Sequence, residues 1–310
     1  MKLFFVIPVQ DEESTVEPLA RGIAAHCAGH EFTILFVDDG STDHTFETLR
    51  RLQQEMPQVQ VVRFRRNFGK SQALSAGFMR ATGDVVITMD GDLQDDPAEI
   101  PRLLAKMEEG YDVVCGWKQN RHDPWHKTIP SRVYNHVVRR IFGLDLHDIN
   151  TGFKAMRMDV AKRLALYGER HRLITVFAIR LGYTVAEVPV EHHPRRFGHS
   201  HYGFERFSRG ALDALAVWFL DHYQHSPGHF FGRYGVVGII AGALLCLGGV
   251  ITGLSSEHFP AALVLWCTGL IIHFAGGLLL ALGLLAELVV RRLPHPDPEL
   301  YIESPSSKDT

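Results

Sequence analysis

The chain has 310 residues, a length that predicts one large domain together with a further segment. Its 32 Lys and Arg residues against 35 Asp and Glu residues give a net charge of −3, which offers no electrostatic basis for nucleic acid as a partner. The four cysteines show no Cys-x-x-Cys spacing, so the composition predicts neither a disulfide framework nor a zinc site.

The first part of the chain alternates short apolar runs with amphipathic segments. The predicted strands cover residues 3–9, 32–37, 60–64, 84–89 and 111–116, and the predicted helices cover residues 17–26, 45–55, 71–81 and 97–109. A second set follows, with helices at residues 131–142 and 160–167, a loop entering a short strand at 148–156 and a strand at 184–189. This alternation predicts an α/β, Rossmann-like fold with a mostly parallel sheet.

Two aspartates stand one residue apart where the fourth predicted strand ends. Asp90 and Asp92 follow an apolar run, and open α/β sheets bind ligands at the carboxyl ends of strands. Hard oxygen donors without His or Cys beside them suit Mg²⁺ or Mn²⁺ bound to a substrate phosphate. The pair predicts a cation site for a phosphate-bearing ligand, and a solvated acidic turn before the next helix is the alternative.

A second acidic motif follows the second predicted strand. Carboxylates such as Asp38 and Asp39 at that position are suited to accept hydrogen bonds from a base or a ribose. The segment at residues 66–71 is not a phosphate-binding P-loop, because Phe64 stands where the first glycine of that motif is required.

Two long runs near the C-terminus contain no charged residue. They cover residues 234–254 and 259–286, and each exceeds the roughly 20 residues that cross a bilayer. Arg233 precedes the first run, and Arg291 and Arg292 follow the second, so the positive-inside rule places both ends in the cytoplasm.

These features divide the chain into four parts. Residues 1–203 are predicted to form the catalytic domain, and residues 229–292 the two transmembrane helices. An aromatic stripe just before the first span predicts an amphipathic helix at the membrane surface over residues 204–228. Residues 293–310, with four prolines, are predicted to be disordered.

Four motifs in order along the chain resemble those of the family 2 glycosyltransferases. They are Pro8-x-x-x-Glu12, Asp38-Asp39-Gly-Ser-x-Asp43, Arg66-Asn67-Phe-Gly69-Lys70 and Asp90-x-Asp92-Leu-Gln94-Asp95-x-Pro97. The resemblance is closest to the branch of dolichol-phosphate mannose synthase and the bacterial polyprenyl-phosphate glycosyltransferases. Looser matches continue it to residue 202, namely Gly116-x-Lys118, Ser131-Arg132-x-x-Asn135, Asp148-x-x-x-Gly152-Phe153-Lys154 and Arg195-x-x-Gly198-x-Ser200-x-Tyr202.

The resemblance implies a GT-A fold and an inverting transfer of a single sugar. The donor would be a nucleoside-diphosphate sugar, and the acceptor an undecaprenyl or dolichyl phosphate at the cytoplasmic face of a membrane, such as the bacterial inner membrane. The lipid bilayer is a further expected partner, and nucleic acid is not expected as one. Formation of a homo-oligomer is left open.

The resemblance also implies roles for individual residues. Pro8, Glu12 and Asp39 would line the nucleoside pocket, and Asp90, Asp92 and Gln94 would hold Mg²⁺ or Mn²⁺. Lys70 would contact the sugar or the metal ligands, with a structural role equally open. Positive charge for the two phosphate groups would come from a set of four side chains, Lys118, Arg132, Arg195 and His201.

Asp148 stands where similar enzymes place a functional carboxylate. A phosphomonoester has a second pKa near 6 and needs little deprotonation at neutral pH. A positioning or sugar-binding role is therefore favoured for Asp148, with general-base catalysis second.

The sequence departs from the family pattern at three positions. His201 replaces a Lys, Lys118 replaces an Arg, and Ser71 replaces a Glu. At position 118 the Lys ammonium group is a point charge, whereas an Arg guanidinium group can donate two parallel hydrogen bonds to a phosphate.

The sequence disfavours three other functions. A processive polysaccharide synthase normally has a Gln-x-x-Arg-Trp motif, and no Trp here is preceded by Arg. A non-catalytic membrane partner would have no reason to keep the acidic cluster. A flippase-like scaffold is disfavoured because the two spans contain no charged residue.

Overall fold

The computed structural model describes residues 1–119, 135, 138–140, 142–164, 166, 168, 170–193, 218, 219, 223, 226–254 and 259–292. The chain forms two compact units, one within residues 1–214 and one within residues 215–297. The predicted helix at 131–142 is described only at residues 135, 138–140 and 142, which are helical. The predicted amphipathic helix at 204–228 lies mostly outside the described residues, and the predicted disordered tail lies wholly outside them.

The first unit is built on a sheet of seven strands in the order β3-β2-β1-β4-β6-β5-β7. The strands are β1 (Lys2–Val9), β2 (Glu31–Asp38), β3 (Val59–Arg63), β4 (Val85–Thr88), β5 (Val113–Lys118), β6 (Lys154–Arg157) and β7 (Val185–Val190). All strands run parallel except β6, which is antiparallel to β4 and β5. The prediction of a mostly parallel sheet is confirmed.

Helices connect the strands. They are α1 (Val16–His26), α2 (Thr45–Glu55), α3 (Lys70–Arg80), α4 (Ile100–Glu108), α5 (Met158–Arg163) and α6 (Ile174–Arg180). The predicted helix at 97–109 begins as a 3₁₀ turn at Pro97–Glu99, where the Asp96 side chain accepts the backbone N–H of Ala98. The helix predicted at 160–167 is shifted, since α5 ends at Arg163, and α6 was not predicted.

Both faces of the sheet are buried, which explains the continuous apolar runs in its strands. In β1, Leu3, Phe5 and Ile7 pack into one core with α1, and Phe4 and Val6 pack into the other core with α3. Successive side chains of a strand point to opposite faces, so a single strand supplies both cores.

The second unit contains two long helices, α7 (Pro227–Gly253) and α8 (Phe259–Arg292). Both are long and apolar enough to cross a membrane, as the uncharged runs predicted. Large apolar side chains such as Ile251, Ile271 and Phe274 are exposed on these helices.

Glycines line the contact between α7 and α8. A Cβ atom added to Gly242 would lie 2.4 Å from the backbone nitrogen of His273, and one added to Gly249 would lie 2.8 Å from that of Trp266. Real Cβ contacts are not this short, so the two backbones approach closely only because these positions have no side chain.

Candidate active site

Charged side chains gather at the edge of the sheet where the parallel strands end. Asp39 follows β2, Asp90 follows β4, and Lys118 is the last residue of β5. Because β6 runs the opposite way, its first residue, Lys154, lies at the same edge, paired with Thr88 and with Cys115. This is the edge at which open α/β sheets bind ligands.

A cleft at this edge encloses about 440 Å³ of empty space, including the part open to solvent. Its walls are formed by Pro8, Lys70, Leu74, Thr88, Met89, Asp90, Asn150, Thr151, Gly152, Lys154, His171 and Ile174.

Gly152 allows Asp90 to lie against the backbone of the cleft. A Cβ atom at residue 152 would lie 2.5 Å from Oδ1 of Asp90. The Thr88 hydroxyl donates to the carbonyl oxygen of Gly152 at 2.7 Å and holds this segment against β4. A side chain at position 152 would therefore displace the Asp90 carboxylate.

Asp90 forms an ion pair with Lys70, the first residue of α3. Burial alone would raise the pKa of Asp90, but the Lys70 and Lys118 ammonium groups outweigh it and hold that pKa well below its usual range. The Asp90 side chain keeps 31% of its surface exposed, so the ionised carboxylate still faces the cleft.

Asp95 and Lys118 form a buried ion pair. Lys118 Nζ lies 2.6 Å from Oδ1 of Asp95, and the two side chains are 12% and 0% exposed. Nδ1 of His192 lies 3.7 Å from the same oxygen. Burial would raise the pKa of Asp95, but the pairing with Lys118 and His192 lowers it. Lys118 has its pKa raised because Asp95 and Asp90 outweigh the effect of its own burial.

Asp148 is buried beside a second ammonium group. Its Oδ1 accepts the Asn135 amide at 3.2 Å, and its backbone N–H donates to Glu187 at 2.7 Å. Lys154 is also buried, and its Nζ donates to the carbonyl oxygen of Thr151. Burial lowers the pKa of Lys154, although Asp148 and Asp90 oppose that effect.

The residues expected at the nucleoside pocket follow β1 and β2. The Asp39 carboxylate accepts the backbone N–H groups of Phe68 and Gly69 at 2.7 and 2.9 Å. Burial raises the pKa of Asp39 despite these bonds. The carboxylate thus holds the loop before α3, and its remaining lone pairs are available to further donors.

The three expected metal ligands have different surroundings. Asp92 is 8% exposed, and its Oδ1 accepts the backbone N–H of Gln94 at 3.2 Å. The Gln94 amide nitrogen lies 3.4 Å from Nε2 of His192 and 3.4 Å from the carbonyl oxygen of His193. Among the three, Asp90 is the one that lines the cleft.

The structure thus brings together Pro8, Lys70, Asp90, Lys118 and Asp148, whereas Arg132, Arg195 and His201 lie outside the described residues.

Three further residues of the site were not predicted, namely Lys154, His171 and His192. Lys154 closes the predicted motif at residues 148–154, so its position there was a signal that could have been used. His171 and His192 belong to none of the sequence motifs.

Comparison with known proteins agrees with the resemblance that the sequence motifs indicate. The model of the family described as "Glycosyl transferase family 2" matches residues 4–165. The dodecaprenyl-phosphate galacturonate synthase of Rhizobium johnstonii is 35% identical over 308 residues, which cover 96% of this chain and 90% of that protein.

Solved structures with the same fold include glucosyl-3-phosphoglycerate synthase from Mycobacterium tuberculosis. Its complex with Mn²⁺, UDP-glucose and phosphoglyceric acid has a TM-score of 0.55 at 20% identity, covering 71% of this chain and 79% of that chain. Its complex with phosphoglyceric acid alone has a TM-score of 0.55 at 21% identity, with the same coverage. At this identity the likeness concerns the fold alone, and the predicted GT-A fold is confirmed.

Proposed function

Since the chain belongs to glycosyl transferase family 2 and is a glycosyltransferase, we propose that it transfers a single sugar from a nucleoside diphosphate to a polyprenyl phosphate. The galacturonate synthase relative, which matches almost the whole chain, supports a polyprenyl phosphate as the acceptor and an acidic sugar as the transferred group. A processive synthase and a non-catalytic partner have no comparable support.

The observation that carries the proposal is the arrangement of charge at the cleft. A transfer between a phosphate nucleophile and a diphosphate leaving group brings like charges together, so the site must neutralise them. Lys70 and Lys118 lie beside Asp90 at the carboxyl end of the sheet. The two lysines supply positive charge, and the Asp90 carboxylate can serve as a ligand for a metal cation. Arg132, Arg195 and His201 remain proposed contacts of the acceptor phosphate.

The donor atoms at this edge fit a hard divalent cation. Asp90 and Asp92 offer carboxylate oxygens from one loop, and the described residues that form the walls of the cleft include no cysteine. Asp90 and Asp92 would therefore hold Mg²⁺ or Mn²⁺, with Gln94 joining only if its amide turns away from His193. When bound, the cation would neutralise the donor diphosphate and stabilise it as a leaving group.

The chain's own residues would bind and orient the two substrates. Pro8, Glu12 and Asp39 are proposed to hold the nucleoside at the ends of β1 and β2. Lys70, the first residue of α3, is proposed to contact the sugar or the metal ligands. An acceptor oxygen would then attack the anomeric carbon opposite the leaving diphosphate, with inversion.

Asp148 is proposed to position groups rather than to remove a proton. Its carboxylate is buried and bonded to Asn135, and the nearby Lys154 and Lys118 are charge partners. A phosphomonoester is mostly dianionic at pH 7, so the nucleophile needs little help from a base.

The two long apolar helices support a membrane-bound enzyme. We propose that both cross the membrane, with the catalytic domain and both termini in the cytoplasm, as the flanking Arg233, Arg291 and Arg292 favour. The bacterial inner membrane is the proposed location. The division into residues 1–203, 204–228, 229–292 and 293–310 stands as part of the same proposal.

A label-transfer assay tests the function. Purified full-length chain is incubated with polyprenyl phosphate and a panel of labelled nucleotide sugars, with Mg²⁺, with Mn²⁺ or with EDTA. We expect labelled lipid with at least one donor, and none in EDTA. Absence of labelled lipid with every donor would refute the proposed function, and full activity in EDTA would refute the metal.

A further inference from the structure

Glu187 of β7 binds two consecutive backbone N–H groups at the start of the segment at residues 147–152. Its Oε2 accepts the N–H of His147 at 2.6 Å, and its Oε1 accepts the N–H of Asp148 at 2.7 Å. The Glu187 side chain is only 9% exposed. The two oxygens of one carboxylate therefore attach the backbone of Asp148 to the sheet.

The ring of His147 adds to this attachment. Its Nδ1 lies 3.0 Å from Oε2 of Glu187, and the ring stacks on Trp117 of β5 with 4.0 Å between the ring centroids. Since β5 and β7 are neighbours in the sheet, His147 is held by two adjacent strands directly before Asp148.

The other end of the segment is attached to the sheet as well. The Thr88 hydroxyl donates to the carbonyl oxygen of Gly152 at 2.7 Å, and the backbone N–H of Gly116 donates to the carbonyl oxygen of Phe153 at 2.9 Å. Between the two ends, residues 150–152 form part of the cleft wall. The strands therefore determine where this segment lies, and Glu187 is the attachment at its first end.

The strand register places Glu187 near the charged groups of the site. Cys115 of β5 is paired with Glu187 on one side and with Lys154 of β6 on the other. Paired residues direct their side chains to the same face of a sheet, so Glu187 and Lys154 share one face. Asp148 opposes the lowering of the Lys154 pKa by burial. Glu187 thus holds the backbone of Asp148 where the Asp148 carboxylate acts on a cation of the site.

A carboxylate is a costly choice for this attachment, because it adds a negative charge close to Asp148. Its advantage is that it has an acceptor oxygen for each of the two N–H groups, and hydrogen bonds to an ionised acceptor are strong. A Gln side chain has one such oxygen, and its amide nitrogen would face the second N–H group as another donor. The close equivalent Gln therefore cannot hold both N–H groups.

We propose that Glu187 is a positioning residue of the transferase, which determines the place of the Asp148 carboxylate by holding the backbone N–H groups of His147 and Asp148. The inference rests on the proposed function, because the place of Asp148 matters only if Asp148 takes part in the transfer. Glu187 then affects the reaction through Asp148 and without touching either substrate.

Label transfer by Glu187→Gln, by Asp148→Asn and by the double variant tests the proposal. Glu187→Gln should lower kcat about tenfold, and by no more than Asp148→Asn does, while the KM for the nucleotide sugar stays unchanged. In the Asp148→Asn background, Glu187→Gln should lower kcat no further, because a residue that acts through Asp148 then has nothing left to position.

Asp112→Asn is the matched control. Asp112 directly precedes β5, at the end of that strand away from the site, and its carboxylate accepts the backbone N–H and the hydroxyl of Thr184 at 2.8 and 2.7 Å. The control should keep the kcat of the wild type, and near-UV circular dichroism should show every variant folded at the assay temperature.

Each other outcome is decisive. The same loss of kcat from Glu187→Gln in both backgrounds, a raised KM with unchanged kcat, or a Glu187→Gln protein unfolded at the assay temperature would overturn the proposal and assign Glu187 a merely structural role. An unchanged kcat in Asp148→Asn would also overturn it, while the proposed function would stand. Absence of transfer by the wild type with every nucleotide sugar would instead overturn the proposed function.

Discussion

Lys118→Met should destabilise the catalytic domain strongly, because it leaves the buried Asp95 carboxyl group without its ammonium partner. The pair has an N–O distance of 2.6 Å, and Asp95 has no exposed side-chain surface. Removing one member of such a pair costs about 3–5 kcal/mol. For a domain of roughly 200 residues, 1 kcal/mol corresponds to about 2–4 °C, so the unfolding temperature should fall by about 6–20 °C.

Near-UV circular dichroism of the full-length chain in detergent would measure this change. Lys106→Met is the matched control, because Lys106 forms an ion pair of the same 2.6 Å length with Glu109, and its partner is 56% exposed. Exposed pairs contribute little to stability, so the control should unfold near the wild-type temperature. If Lys118→Met also unfolds within about 2 °C of the wild type, the reasoning about the buried pair is refuted.

A double variant of Lys118 and Asp95 distinguishes a structural role of Lys118 from a catalytic one. Lys118→Met combined with Asp95→Leu leaves no uncompensated buried charge, so the double variant should recover most of the lost stability. If Lys118 also binds a substrate phosphate, as proposed, the recovered protein will stay inactive in the label-transfer assay. Recovery of activity together with stability would assign Lys118 a structural role only.

Four further predictions concern other parts of the chain. Asp92→Asn should abolish label transfer without changing the unfolding temperature, because it removes a cation ligand at constant volume, and wild-type turnover would contradict this. Asp148→Asn should slow label transfer by less than about a hundredfold, since a larger loss is typical of a general base. Cys27 and Cys115 should resist maleimide at pH 8 until the protein is denatured, as mass spectrometry would show, because burial raises their pKa values to about 11 and about 12. Gly242→Leu should make the α7–α8 pair easier to unfold in SDS, whereas Leu at Gly248, which has nothing within 4 Å, should not.

Most of the sheet could be predicted from the sequence because its strands are buried on both faces. Such strands read as continuous apolar runs between turn residues, and the predicted positions agree with the observed strands to within a few residues. The helix α6 escaped prediction since it begins Ile174, Thr175, Val176, a β-branched run of low helix propensity. Its residues Ile174 and Ala178 pack into the core beneath the sheet, and that packing outweighs the propensity.

The candidate site was only partly predictable, for a reason of topology. Asp90 and Asp92 were visible because they directly follow a strand, and local motifs suffice for that. The pairing of Asp95 with Lys118 depends on where β5 lies, and the antiparallel strand β6 separates β5 from β4 in the sheet. His171 lies at the cleft in contact with Ser71, 100 residues earlier in the chain. No pattern of neighbouring residues records such a contact.

The spacing of glycines in the sequence indicates that the two apolar helices pack against each other. Hydropathy alone does not reveal this pairing. Glycines recur every seven residues in both helices, at 228, 235, 242 and 249 in α7 and at 269, 276 and 283 in α8. A seven-residue repeat keeps small residues on one stripe of a helix. Glycine contributes no apolar surface in lipid, so its benefit there is the close approach of two backbones. Since the two stripes face each other, the helices form one packed hairpin rather than two independent anchors.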